Sequence, residues 1–206
     1  MNQNKRIKIK GKYKDVLIKN GKVIKDFGWK SNSIAADYGR FLAALMKKEF
    51  QPPIGIEYIA VGDSGTENDP DAFRTLLVDY FNWLNQPGNS GPRRENNHWA
   101  WIKQIEAGNM KYLDENDNEV PPESQDITNK LKIEVIINED EPSQDTFDFK
   151  EFALLGIAKN GTFDTERLFL INHVSHGQIT KDNTMELTRT IKLTFPINNN
   201  EEENNE

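Results

Sequence analysis

From Lys5 to Lys14, basic residues alternate with Ile7, Ile9, Gly11 and Tyr13. A period of two sends successive side chains to opposite faces, so this segment is expected to be a strand with one wet face. Two short β-rich runs, Asp15–Lys19 and Lys22–Trp29, flank Asn20-Gly21. Asn-Gly supplies both positive-φ residues of a tight hairpin turn and is the strongest local hairpin signal. The period then lengthens: Ile34, Tyr38, Phe41, Leu42, Leu45 and Met46 share one face at helical spacing. Asn32 or Ser33 is placed to cap the first turn, Lys47 and Lys48 complement the negative end of the helix dipole, and Pro52-Pro53 stops the helix.

Ile54–Val61 is a nearly unbroken apolar run, expected to be a buried strand that ends in the turn-rich Gly62–Thr66. Phe73–Leu84 reads as a second, short helix, and Asn85–Asn97 as an exposed loop. Further strands are expected at His98–Ile105, Lys130–Ile137, Phe147–Ala158, Arg167–Val174 and Thr184–Ile197. Polar turns at Asp114–Asn118, Pro121–Thr128 and Asn160-Gly161, with an acidic loop at Glu139–Thr146, separate them. Consecutive strands joined by turn signals imply antiparallel pairing. The expected fold is mainly β with one or two helices: an antiparallel β-sandwich with a helix packed on one side. Residues 1–197 form one β-rich domain with an insertion-like stretch at about 85–128, and 198–206 are expected to be a disordered acidic tail.

A length of 206 residues fits that single domain. A mean hydropathy of −0.75 fits long polar loops. The absence of cysteine excludes disulfides, zinc-thiolate sites and a thiol nucleophile. The charged N-terminal segment and the lack of a long apolar run predict neither a secretory signal nor a membrane partner. Net charge is −7, yet residues 1–30 hold ten Lys/Arg against two Asp, while Asn198–Glu206 holds only Asn and Glu. Overall acidity argues against a nucleic-acid partner, because phosphate neutralisation needs a dense basic surface. The basic segment is suited to an acidic protein partner, which makes Lys8, Lys10 and Lys12 candidate interface residues.

Four features resemble chemical sites. Gly62-Asp63-Ser64-Gly65 resembles the nucleophile tetrapeptide of trypsin-like serine proteases, but there the histidine precedes the serine; here His98, His173 and His176 all follow it. A strand-ending turn explains the tetrapeptide. Asp114–Asn118 begins like a calcium loop, yet Glu119 stands where the turn needs glycine and Gln125 where it needs the bidentate acid. His173 and His176 are three apart, which on a strand puts them on opposite faces and argues against a shared metal. Trp83, Trp99 and Trp101 fit core or interface packing, or a sugar-stacking platform. No Walker loop, dinucleotide fingerprint or metalloprotease helix is present, so no catalytic, cofactor-binding or metal residue is assigned and no enzyme activity or cofactor is expected.

The motifs also carry a resemblance in their order. Trp29-Lys30-Ser31-Asn32-Ser33 leads into Phe41-Leu42-Ala43-Ala44-Leu45, followed by Ile56-Glu57-Tyr58-Ile59-Ala60-Val61-Gly62-Asp63-Ser64-Gly65-Thr66 and Leu76-Leu77. The second half holds Phe149-Lys150-Glu151-Phe152-Ala153-Leu154-Leu155-Gly156, Leu168-Phe169-Leu170, Ile179-Thr180-Lys181 and a closing run from Leu187 to Phe195. The series resembles the N-terminal domain of phage tail-collar fibre proteins and related small virion proteins, over most of the chain except 85–128. Ala153 replaces the usual glycine and Leu155 the usual phenylalanine, and a short subunit without a long fibre is expected. The resemblance implies a structural or adaptor subunit of a phage tail, baseplate or tail-like injection particle. Such a subunit would be assembled in the host cytoplasm and located in the virion or particle. It would act as a homo-oligomer with other virion or tail structural proteins as partners. The alternative is a carbohydrate-binding β-sandwich module.

Overall fold

In a computed structural model, residues 9–35, 37–47, 55–63, 69–95, 97–124, 126–143, 145–160 and 162–196 are described, with the side chains of 157–160 and 162–167 set aside. The strands are β1 (Lys10–Lys19), β2 (Lys22–Asn32), β3 (Tyr58–Gly62), β4 (Arg93–Glu95), β5 (His98–Gln104), β6 (Met110–Tyr112), β7 (Lys130–Ile137), β8 (Thr146–Asn160), β9 (Thr162–Leu170), β10 (Val174–Asp182) and β11 (Met185–Thr194); the helices are α1 (Asp37–Lys47) and α2 (Pro70–Leu84). One sheet runs β2-β1-β11-β7-β6. The second runs β10-β8-β3-β5-β4, with β9 on the far half of β8. All the pairs are antiparallel. The expected mainly-β sandwich with helices is therefore present.

Alternation decides which faces meet. Tyr13 and Leu17 of β1, Ile133, Val135 and Ile137 of β7, and Leu187, Ile191 and Leu193 of β11 point to one side and are buried. They pack on Ile59 and Val61 of β3 and on Phe147, Phe149, Phe152 and Leu154 of β8. The intervening residues of the second sheet, Tyr58, Ala60, Ala153 and Leu155, face the other way and are covered by Phe73, Leu77, Tyr80 and Phe81 of α2. The result is three layers: sheet, sheet, helix. Each fully buried large apolar side chain contributes about 1.5–3 kcal/mol by leaving water.

Local chemistry sets the helix positions. The Asp69 carboxylate accepts from the amides of Asp71 and Ala72, and Pro70 starts α2, where a missing N–H costs nothing. The first helix puts Phe41 and Ala44 into the core between the sheets. Phe41 lies so close to Gly156 that a Cβ there would stand 2.3 Å from its Cε2. Asn20 and Gly21 turn the β1–β2 hairpin with φ of 52° and 69°.

Several expectations change. The segment Lys5–Lys8, residue Ile54 and the tail 198–206 lie outside the described residues. Asn32 does not cap α1: it ends β2, buried, and its Oδ1 accepts a 2.7 Å bond from Asn172 Nδ2, while the helix begins at Asp37. The strand expected at Arg167–Val174 is instead two, because β9 stops at Leu170 and β10 starts at Val174. Within the insertion-like stretch 85–128, β5 sits between β3 and β4 in the second sheet.

Candidate interaction surface

The ionisable groups between the layers form two sets, one on each face of the second sheet. β8 and β10 pair as Phe149 with Ile179 and Glu151 with Ser175, so β10 bulges between Ser175 and Ile179. That bulge accompanies a division of the two histidines. His173, just before β10, faces α2: its Nε2 lies 3.1 Å from Glu151 Oε2 and its ring stacks on Phe73 at 5.1 Å. His176, in the bulge, faces the first sheet. Its Nδ1–H donates to the Gly177 carbonyl at 2.8 Å, and its Nε2 accepts from Arg189 Nη2 at 2.9 Å. Burial, then the Arg189 guanidinium, pushes the imidazole pKa down to about 4. Arg189, wholly buried, donates to both Asp15 oxygens at 2.6 and 3.0 Å and lies 4.0 Å from the Phe152 ring centre. The opposite orientation expected of the two histidines is observed.

The outer face of the first sheet is basic by register. Lys12 pairs with Lys192, Lys192 with Lys132, and Lys132 with Lys111, so four lysines form one row across β1, β11, β7 and β6. The turn between β6 and β7 lies over this row. Asp117 binds Lys12 at 3.0 Å, Lys130 at 3.1 Å and Lys192 at 3.2 Å; Glu119 binds Lys111 and Lys132 at 2.7 Å each. These hydrogen bonds hold the Asp117 carboxyl well below the usual carboxylate range and bring Glu119 down to about 2. Asp114 builds the turn by accepting from the amides of Asn116 and Asn118, both at 2.8 Å. The carboxylates that resemble a calcium loop are thus occupied by amides and lysines. Lys12, one of the candidate interface residues, is neutralised within the chain, whereas Lys10 is exposed and meets no carboxylate among the described residues.

Beyond that row lies β2, an edge strand whose residues are exposed except for half-buried Phe27 and buried Asn32. Val23 is 62% exposed, Ile24 50% and Trp29 46%, large fractions for such side chains. Two register shifts against β1 mark bulges in this strand pair; at one of them Gly28, with φ of 69°, donates to Asp26. Asp26 itself pairs with Lys14 at 2.6 Å. Lys22, Lys25 and Lys30 meet no carboxylate among the described residues; Lys25 and Lys30 instead lie over the Phe27 ring at 4.6 and 5.8 Å. Edge bulges and lysines are the devices by which sheets resist strand-to-strand pairing.

The tryptophans divide between surfaces. Trp101 is buried in the core between the sheets, so it is not an interface residue of the free chain. Trp99 packs against the same core beneath Arg94, and Trp83 packs on the helix side of the second sheet beneath Arg93, each guanidinium 5.7 Å from its ring. The three therefore line no common platform. The carboxylate of Asp63, at the end of β3, accepts the Trp99 amide at 2.6 Å, while Ser64 lies outside the described residues. A groove of about 870 Å³ beside β5 contains Lys103 and Glu141, which pair with each other. Among the described residues, no three metal-ligating side chains converge and no helix is long and apolar enough to cross a membrane.

Sequence reasoning placed the basic charge in the right strands but missed the acidic turn that neutralises it. The signal was present: alternate lysines at 130 and 132, and at 192, face a loop bearing Asp114, Asp117 and Glu119. No protein-family model, no curated protein and no solved structure matches the chain.

Proposed function

We propose that this chain is a structural or adaptor subunit of a phage tail, baseplate or tail-like injection particle, working by assembly with copies of itself and with other virion proteins. The observation that carries the reading is β2: an edge strand eleven residues long, exposed except at Phe27 and Asn32, and bearing Val23, Ile24 and Trp29 along with three lysines that meet no carboxylate among the described residues. Exposed apolar side chains rimmed by charge are the mark of a surface that another chain covers. The motifs behind the resemblance support the same reading, because they build scaffold. Ile59 to Gly62 lie in β3 at the centre of the second sheet, Phe149 to Gly156 in β8, and Ile179 to Lys181 in β10. Lys181 is buried and donates to the carbonyls of Glu139 and Glu141 at 3.0 and 2.7 Å, tying the acidic loop to β10. The buried Glu151–His173 and Asp15–Arg189–His176 sets likewise join strands.

Electron microscopy of the native assembly, with the chain located by a label, tests the proposal. The expected result is density for repeated copies in a tail or baseplate. A chain that is monomeric at every concentration in sedimentation and absent from any particle overturns it.

A further inference from the structure

We propose that the cleft between the outer face of the first sheet and the Asp114–Asn118 turn is a binding site for a phosphate group, held by Lys10, Lys12, Lys130 and Lys192. Register gathers these lysines. Lys10 pairs with Thr194 and Thr194 with Lys130; two residues along each strand, Lys12 pairs with Lys192. A step of two returns to the same face, so the four side chains share the outer face, where the turn lies over them. The cleft has a volume of about 220 Å³, with Thr194 and Asp117 in its wall.

Positive charge exceeds negative there. Asp117 meets Lys12, Lys130 and Lys192 at 3.0, 3.1 and 3.2 Å, so one carboxylate answers three ammonium groups. Asp114, the other acid of the turn close enough to act on Lys130, gives its oxygens to the amides of Asn116 and Asn118 and to Asn118 Nδ2. Lys10 is exposed and meets no carboxylate among the described residues. Four lysines therefore face two carboxylates. Lys12 and Lys192 stand directly opposite one another, an arrangement that like charges make unfavourable and that a bound anion relieves. The neighbouring lysines differ: Lys111 and Lys132 share Glu119 at 2.7 Å each, and Lys132 also meets Glu134 at 3.1 Å.

The donors are already in place. Lys12 and Lys192 lie over the Trp29 ring, 5.2 and 5.3 Å from its centre, and Lys130 also donates to the Glu115 carbonyl at 2.8 Å. Side chains fixed before a ligand arrives lose little entropy when it binds. Lysines act as point charges, and these come from three strands. A tetrahedral oxyanion can accept from several such directions, whereas a planar carboxylate offers only two oxygens. The volume lies below the roughly 300–1,000 Å³ of sites for larger organic ligands, which suits one or two phosphate groups. Free phosphates and phospholipid headgroups both carry this chemistry.

Isothermal titration of the full chain with pyrophosphate, in low-salt buffer free of phosphate, tests the site. Saturable binding is expected. K10A/K12A changes two exposed side chains and should weaken it about tenfold or more, the order of losing two charge-assisted contacts. D117N keeps a residue suited to the φ of 68° and removes the competing charge, so it should bind about threefold tighter or better. K22A/K25A removes the same number of charges from β2 and should bind as wild type does. Absence of saturable binding, K10A/K12A equal to wild type, D117N no tighter than wild type, or K22A/K25A as weak as K10A/K12A overturns the site. So does binding that appears only in E201Q/E202Q/E203Q, which would give the cleft to the chain's own acidic end. Pelleting with phosphatidylglycerol vesicles, against phosphatidylcholine vesicles, separates the two sources: capture that pyrophosphate competes away supports a headgroup, and pyrophosphate binding without capture supports a soluble phosphate.

Discussion

Asp15→Ala is the most informative single change to the fold, because it breaks one partner out of a buried ion pair. Arg189 is fully buried, and two of its three guanidinium nitrogens meet Asp15 or His176; Nη1 has no partner among the described residues. Removing Asp15 leaves the cation facing a neutral imidazole and the Phe152 and Tyr13 rings. An uncompensated buried charge costs about 3–5 kcal/mol, a large share of the roughly 5–15 kcal/mol that holds a domain together. At about 2–4 °C per kcal/mol for a chain of this size, the melting temperature should fall by about 6–20 °C. Equilibrium urea unfolding followed by tryptophan fluorescence measures the loss. The decisive control is D15L/R189M, which removes both charges and should recover most of it, since an apolar pair avoids the desolvation cost. A single variant that loses under about 1 kcal/mol, or a double variant less stable than the single, would refute the reasoning.

Three further predictions follow from the same packing. His176 titrates near 4 in the fold and near 6.5 when unfolded, so the unfolded chain binds a proton first as pH falls. Stability held above pH 6.5 should then be lost between 6.5 and 4, by up to about 3 kcal/mol, and H176Q should flatten that part of the unfolding profile. Gly156→Ala drives a methyl group into Phe41 and should cost about 1–3 kcal/mol by thermal melting, with F41L restoring part of the loss. Asn172→Ala removes the acceptor of the Leu154 amide and the donor to Asn32 in a fully buried position, and should cost about 2–3 kcal/mol in urea unfolding; an unchanged midpoint would show that water replaces both bonds.

The parts of the fold legible in the sequence are those where one rule governs a whole segment. Asn20-Gly21 turns the first hairpin, the alternation of Lys130–Ile137 marks β7 at its observed bounds, and the apolar face of Phe73–Leu84 lies within α2. Illegible parts are those where partners distant in sequence override a local rule. Asn32 looks like a helix cap, but Asn172, on the far side of the chain, claims its side chain. β10 escapes notice because its bulge spoils the alternation between Val174 and Ile179. Lys12 looks free until Asp117 is brought over it. For the interaction surface, composition located the basic strands, but the compensation of Lys12 depends on Asp117, about a hundred residues away in the chain.

The pairing of β1 with β11 has a consequence for how the chain comes into being. β1 ends at Lys19 and its central partner begins at Met185, so nearly the whole chain must be synthesised before the first sheet can close. At roughly 5–20 residues per second, the first hairpin leaves the ribosome about 8–30 s ahead of the strand that completes it. Closing so long a loop also places the molecule among the slow folders. Throughout that interval the nascent hairpin displays Tyr13 and Leu17 to the cell, and the lysines beside them are its protection against premature association.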